Sequence, residues 1–308
     1  MLHIIVNPVA GKGRTMLYLP LLMDRLNELG LPCEVHITTK VREAYFFAKD
    51  FCCNSTTAII GIGGDGTMQE IVAGMADAYP HGEKIPIPLG ILPGGSGNDF
   101  ITTLEGGKAA AKRKFSKDIH AVTNEFANKI FHRSLRTIDL ITANGEAYLN
   151  IGNIGIDAKI VNSAITLKQK LGGQAYIASV YKNILKHKNT ALSITLDNKT
   201  TTEQYTLAAV CNGEYYGGGL HIAPPAKPDD GKITLCTVAG MSRARLGILF
   251  PSLLAKKHEK LKEISFTHTD EVTITLGSEE ILCLDGNLSS KTGKIVFKIL
   301  PKVLDVFI

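Results

Sequence analysis

Between Thr57 and Gln69 the chain reads TAIIGIGGDGTMQ, four glycines around one carboxylate, Asp65. Gly61, Gly63, Gly64 and Gly66 remove the side chains that would keep a phosphate off the backbone. Thr67 is spaced to cap a following helix, whose first N–H groups would receive an anion. Gly61, Gly63 and Gly66 also satisfy G-x-G-x-x-G, the dinucleotide-binding pattern. That pattern fits poorly, because Asp65 would repel a pyrophosphate from inside the loop. The next apolar run, Pro88 to Leu92, also ends in Pro93-Gly94-Gly95 without a ribose-gripping acid. A carboxylate among phosphates needs a cation or a hydroxyl to face, so Asp65 points to phosphoryl transfer with Mg²⁺ ahead of hydride transfer.

Strands must carry these residues. Ala58 to Ile62 reads as a buried parallel strand, short, apolar and closed by glycines. His3 to Val6, Cys33 to Thr38 and Leu89 to Leu92 read likewise, with helices expected over Thr15 to Leu29 and Arg42 to Phe51. Pro20 should kink the first helix or mark its true start. Strand and helix alternating through short loops predict an α/β, doubly wound parallel sheet with its ligand at the carboxyl ends of the strands. The loop after the first strand, Asn7 to Gly13, could offer backbone donors at Gly11 and Gly13 and charge from Lys12 or Arg14, but it is not a Walker A motif. After an amphipathic stretch from Ile119 to Phe131 the pattern changes. Leu135 to Thr142, Ala147 to Ile151, Leu192 to Leu196, Tyr205 to Cys211, Ile233 to Val238, Val272 to Leu276, Ile281 to Leu284 and Lys294 to Ile299 read as short strands. The expected division is a nucleotide-binding α/β domain over 1–132 and a β-rich, sandwich-like second domain over 133–299, with residues 300–308 open to a return to the first.

Gly63-Gly64-Asp65-Gly66-Thr67 resembles the GGDGT signature of diacylglycerol kinase catalytic domains, sphingosine and ceramide kinases, NAD kinases and, more distantly, phosphofructokinases. Asn7 to Gly13 resembles the N-P-x-[SA]-G-x-G element of the lipid kinases. Pro93 to Phe100 resembles L-P-x-G-T-x-N-D-F, with Ser96 for the usual Thr, and NAD kinases carry a different element there. Ile138-Asp139-Leu140, Tyr148 to Asp157, and Gly217 to Gly219 with Ala223 to Gly231 match further family segments. The resemblance, to soluble bacterial diacylglycerol kinases within an NAD kinase-like superfamily, implies ATP and Mg²⁺ as cofactors and a lipid alcohol, such as diacylglycerol, as acceptor. It places the nucleotide on Asn7, Gly11, Gly13, Thr39, Gly63, Gly64, Asp65, Gly66, Thr67, Ser96 and Asn98. A structural Mg²⁺ would be held by Asp230 and the backbone carbonyls of Lys227 and Lys232, an oxygen set that suits it. Thr39 could equally be a cap, Asp230-Gly231 a hairpin turn, and Asp99 a cap or the holder of a metal-bound water.

Leu284-Asp285-Gly286-Asn287 departs from the family's D-G-E, whose Glu is the proposed general base for the lipid hydroxyl. Asn287 cannot take a proton near neutral pH, so either Asp285 serves or turnover is slow. The expected catalytic residues are Asp65, Asp285 and the residue in the Glu position, Asn287. A catalytically impaired nucleotide-binding protein of the same fold, or an NAD kinase, remains the alternative.

The 308 residues, 44% hydrophobic and 20% charged, are enough for two domains with real cores. No signal-peptide pattern opens the chain and no uncharged apolar run reaches membrane-spanning length, so a cytoplasmic, membrane-peripheral protein is expected. Net charge +5 and pI near 8.8 are compatible with transient contact to an anionic membrane. No nucleic-acid module accompanies that charge, a homodimer is allowed for, and the basic stretches Lys108 to Lys117 and Lys256 to Lys262 read as solvated faces. Six cysteines without C-x-x-C spacing, Cys33, Cys52, Cys53, Cys211, Cys236 and Cys283, read as buried reduced thiols. Gly172 to His187 reads as an amphipathic helix.

Overall fold

Short β-branched runs cannot shield themselves from water, so they pair and are covered on both faces. The computed structural model describes residues 1–53, 55–116, 118–156, 184, 186–277 and 280–308. β1 (Leu2–Val6), β2 (Cys33–Ile37), β3 (Ala58–Gly63) and β4 (Ile85–Pro93) form a parallel sheet in the order β2-β1-β3-β4. Alternation along the strands divides the core. Ile4, Ile60 and Ile62 pack against α1 (Thr15–Glu28) and α6 (Ile119–Phe131), while Ile5 and Ile59 pack against α2 (Glu43–Asp50) and α3 (Asp65–Asp77). Two shorter helices, α4 (Asp99–Leu104) and α5 (Lys108–Phe115), follow β4. α1 runs through Pro20 without the expected break. Pro20 and Met16, whose carbonyl loses its partner, both lie exposed, so water can take the missing bond.

The second half is antiparallel. β5 (Leu135–Ala143), β6 (Glu146–Tyr148), β7 (Ile151–Gly155), β8 (Thr190–Leu196), β9 (Lys199–Cys211), β12 (Ile233–Ala239), β13 (Ile264–Thr269), β14 (Glu271–Thr275), β15 (Leu282–Leu284), β16 (Asn287–Ser289) and β17 (Lys294–Phe307) join one 15-stranded sheet with β1 to β4. A two-stranded ribbon, β10 (Tyr215–Tyr216) and β11 (Leu220–His221), stands apart. β13 and β16 are absent from the sequence reading: β16 is three residues long, and β13 is half-exposed with no continuous apolar run. β9 begins six residues earlier than its apolar part, where hydroxyls pair across the strands, Ser193 with Thr202 and Thr195 with Thr200, each at 2.8 Å.

β17 joins the two halves. Val272 to Thr275 of β14 pair antiparallel with its first half, while Leu304 and Val306 pair parallel with Ile85 and Leu89 of β4. Lys302, in the left-handed region at φ 54, lies where the register shifts. Among the described residues no helix is long and apolar enough to cross a membrane. Cys211, Cys236 and Cys283 are buried, but Cys33 and Cys52 are only partly so and Cys53 is exposed, against the expectation of burial for all six. The expected helix over 172–187 falls almost entirely outside the described residues, as does Asp157.

Candidate active site

The loops after β1, β3 and β4 meet backbone against backbone. A Cβ on Gly11, itself at φ 55, would lie 1.9 Å from the Gly94 carbonyl oxygen, and one on Gly95 would lie 2.5 Å from Gly64 Cα. Gly94 and Gly95 both donate their N–H to the Gly63 carbonyl, at 2.7 and 3.1 Å. The β3 glycines are used for close packing more than for phosphate access. A Cβ on Gly61 would strike Met68 and Ile71, one on Gly63 would strike Thr67, and one on Gly66 would come 2.7 Å from Asn287 Oδ1. Thr67 does not cap α3. The cap position is Gly64, and Thr67 is already inside the first turn, where its hydroxyl accepts from Asn7 Nδ2 at 3.0 Å. Asn7 Oδ1 accepts from Val9 N–H at 3.2 Å, so this one side chain ties the first loop to the third helix.

Other candidates are held less directly. Gly13 also takes a left-handed turn, φ 85. Asn98, at φ 56, is clamped to Gly95 through both its amide atoms, at 2.9 and 3.0 Å, and so shapes the loop from within. Ser96 is exposed at the tip of that loop. Thr39 is exposed too, and its N–H and hydroxyl both donate to Glu43 Oε2, at 2.6 and 3.0 Å, so it is tied to the start of α2 without being its cap, which is Arg42. Between the loops is a small cleft lined by Asp65, Pro93, Asn98 and Phe100.

Three acids converge beside this cleft. Asp65 Oδ1 accepts from the N–H groups of Asp99 (2.8 Å) and Phe100 (3.4 Å), at the start of α4. Its Oδ2 has room only because residue 97 is glycine, where a Cβ would lie 2.7 Å away. Asp99 accepts from Gly218 N–H (3.0 Å) and Gly219 N–H (2.6 Å), latching the glycine turn of the β10–β11 ribbon onto α4. It is therefore a tether and not the cap of α4, which is Asn98, and each of its oxygens carries one backbone donor. Burial, and then the charge of Asp65, push the Asp99 carboxyl up to about 7. Burial likewise raises Asp65. Among the described residues none of the three acids has an ion-pair partner. A buried carboxylate without an ion-pair partner, as Asp65 is, suits a divalent ion.

Asp285, the third acid, departs from the expectation that it faces an acceptor hydroxyl. Its Oδ2 accepts from Leu149 (2.7 Å) and Asn150 N–H (3.2 Å), and its Oδ1 from Asn150 (3.0 Å) and Ile151 N–H (2.8 Å). A carboxylate offers about four lone-pair sites, and three backbone N–H groups, that of Asn150 shared between both oxygens, take up most of them. Burial still pushes it up to about 7. Asn287 Nδ2 donates to the Gly66 carbonyl (3.0 Å) and to Gln69 Oε1 (2.8 Å), and buried Gln69 donates to the Ala147 carbonyl at 3.3 Å. Sequence reasoning missed Gln69 as a partner of the site, and it marked the glycine run 217–219 without linking it to Asp99, about 120 residues away.

The turn at 227–232 is separate. Buried Asp139 accepts from Gly231 N–H (2.6 Å) and Lys302 N–H (2.7 Å), and Lys302 Nζ donates to the Asp229 carbonyl. Asp230 is exposed, with Oδ1 accepting Lys232 N–H at 3.0 Å, as in a turn.

Residues 1–143 match the model of the diacylglycerol kinase catalytic domain, and 151–308 match that of the YegS C-terminal NAD kinase beta sandwich-like domain. The chain belongs to the diacylglycerol kinase family. It is an enzyme of the lipid kinase kind, a diacylglycerol kinase-like transferase. A diacylglycerol kinase of Bacillus subtilis is 26% identical over 287 residues, 92% of this chain and 88% of that protein. A diacylglycerol kinase from Bacillus anthracis superposes with a TM-score of 0.68 at 23% identity, covering 99% of this chain and 96% of its own. An NAD kinase from Archaeoglobus fulgidus, solved in complex with ATP, shares the fold at a TM-score of 0.55 and 11% identity, covering 100% and 94%.

Proposed function

We propose that this lipid kinase transfers the γ-phosphate of ATP to the hydroxyl of diacylglycerol or a related lipid alcohol. The observation that carries the reading is Asp65, held by the start of α4 with its Oδ2 turned into the space that Gly97 leaves. The phosphates of ATP lie along the loops Gly11 to Gly13 and Gly63 to Thr67, with Ser96 and Asn98 at the third side. Bound Mg²⁺ supplies charge neutralisation between phosphate oxygens, and Asp65 is the side chain that would hold it. A second Mg²⁺, held by Asp230 and the carbonyls of Lys227 and Lys232, would be structural. Residues 1–132 serve the nucleotide and 133–299 the acceptor, which enters where Asp99 and Asn287 bridge the two, and the enzyme touches the membrane to collect it.

No side chain at the Glu position can take the acceptor proton, since Asn287 is an amide that donates to Gly66 and Gln69, and Asp285 is turned to the N–H groups of Leu149, Asn150 and Ile151. Transfer therefore rests on positioning and charge, which supports a slow kinase; the same observation favours, as a second reading, a protein that binds nucleotide without turnover. Phosphate transfer from labelled ATP to lipid alcohols in mixed micelles tests both. Label in a lipid alcohol, lost in Asp65→Asn while the thermal midpoint holds, supports the kinase. Bound ATP with no labelled acceptor supports the second reading, and labelled NAD would replace both.

A further inference from the structure

We propose that His3, Glu34 and His36 form a binding site for a first-row divalent metal ion, Zn²⁺ by preference, on the β1–β2 edge of the sheet. β1 and β2 pair in parallel with His3 beside Glu34 and Ile5 beside His36, so these three side chains fall on one face. His3 Nδ1 lies 3.2 Å from His36 Nε2 and 3.8 Å from a Glu34 carboxylate oxygen, and His36 Nε2 lies 4.0 Å from the other. Tetrahedral ligands at about 2.0–2.2 Å from Zn²⁺ stand roughly 3.4 Å apart, and one ligand atom from each of the three residues already lies within 4.8 Å of the others, so a rotamer adjustment of exposed Glu34 completes a face of that polyhedron. Two imidazoles and a carboxylate are the borderline set that first-row metals take over Mg²⁺.

The imidazoles are held by a wall of aromatic rings. Phe51 stacks on His3 with centroids 4.1 Å apart and packs on His36 at 4.3 Å, and Phe47 closes on His36 at 5.4 Å. His3 is buried, His36 half-buried and Glu34 exposed, which leaves the carboxylate side open for entry and for a water as fourth ligand. His3 lies four residues before Asn7 and His36 stands beside Ile5, two residues before it, about 13 and 7 Å along the strand, and β2 is the edge strand away from β4, so the site is distinct from the acid cluster. A hydrogen bond between two neutral imidazoles accounts for the 3.2 Å contact alone, but not for a carboxylate brought within reach of both rings. The ion would clamp the edge strand β2 to β1.

The test uses the full chain stripped of metal by chelator and titrated with Zn²⁺ and with Co²⁺. The expected result is one tight equivalent, a Co²⁺ spectrum free of thiolate charge-transfer bands, and a thermal midpoint raised by about 5 °C at saturating Zn²⁺. The spectrum separates this site from the six thiols. His36→Gln should abolish binding and Glu34→Gln should weaken it at least about tenfold, with Mg²⁺-dependent lipid phosphorylation unchanged in Glu34→Gln. Glu34 is exposed, so that variant keeps the test open if His36→Gln does not fold. Absence of a stoichiometric ion, thiolate bands in the Co²⁺ adduct, or Zn²⁺ affinity unchanged in Glu34→Gln each overturns the proposal.

Discussion

Replacing Asp285 separates a structural anchor from a catalytic base. The side chain receives the N–H groups of Leu149, Asn150 and Ile151 in a buried site and sits at φ 47. Asp285→Ala strands three donors at about 1–3 kcal/mol each and places an alanine in the left-handed region at about 1 kcal/mol more. Part of that is relieved by removing an acid that burial disfavours, and part by relaxation. A net loss of roughly 3–6 kcal/mol follows, against a total stability of about 5–15 kcal/mol. Asp285→Asn keeps one acceptor oxygen and tolerates the left-handed turn, so about half that loss is expected. At roughly 2–4 °C per kcal/mol, the asparagine variant should melt about 5–10 °C lower and the alanine variant lower still or not fold. Urea and thermal unfolding read the loss, and lipid phosphorylation well below the lowered midpoint reads the chemistry. Asp285→Asn should retain most of its turnover once folded. An alanine variant that unfolds within about 2 °C of the wild type while phosphorylating nothing would refute the anchor and make Asp285 the base.

Asn287→Glu introduces the missing base but loses the donor to Gly66 and Gln69. Its turnover should rise at least about tenfold while the midpoint falls, and an unchanged rate in single-turnover assays would show that no base is missing. Gly11→Ala drives a methyl into the Gly94 carbonyl at an unfavourable φ, so it should cost about 2–4 kcal/mol in unfolding experiments and raise the KM for ATP more than it lowers kcat. Asp99 titrates near 7 when folded against about 3.8 when unfolded, so its contribution is intact below about pH 4 and is lost as pH rises through 7. Asp99→Asn removes that dependence. The stability of metal-free wild type relative to the variant should therefore fall across pH 4–7, by at most about 4 kcal/mol, and parallel pH profiles would contradict the burial of this acid.

What the sequence made legible is what depends on local pattern. β1, β3 and β4 are apolar runs long enough to be buried on both faces, β2 is the half-exposed edge strand, and their parallel pairing follows from the helices between them. The loops bearing Asn7, Asp65 and Asn98 come together for the same reason, because parallel strands deliver their carboxyl ends to one edge. Residue tasks within that edge are set by partners far along the chain. Asp99 meets Gly218 and Gly219 about 120 residues away, and Asp285 meets Leu149 to Ile151 about 135 residues away, pairings that leave no period or spacing to read. The GGDGT glycines show the same limit from the other side: composition marks them as small, and only the packing shows that the space they leave is filled by Thr67, Gly95 and Asn287. The acid they surround is thus positioned first by the protein. Two backbone N–H groups fix one oxygen of Asp65, and burial beside Asp99 and Asp285 makes its charge costly until a cation arrives. That cost ties cation binding to the integrity of the latch, because loosening Asp99 would let water in to solvate Asp65 and weaken the demand for the metal.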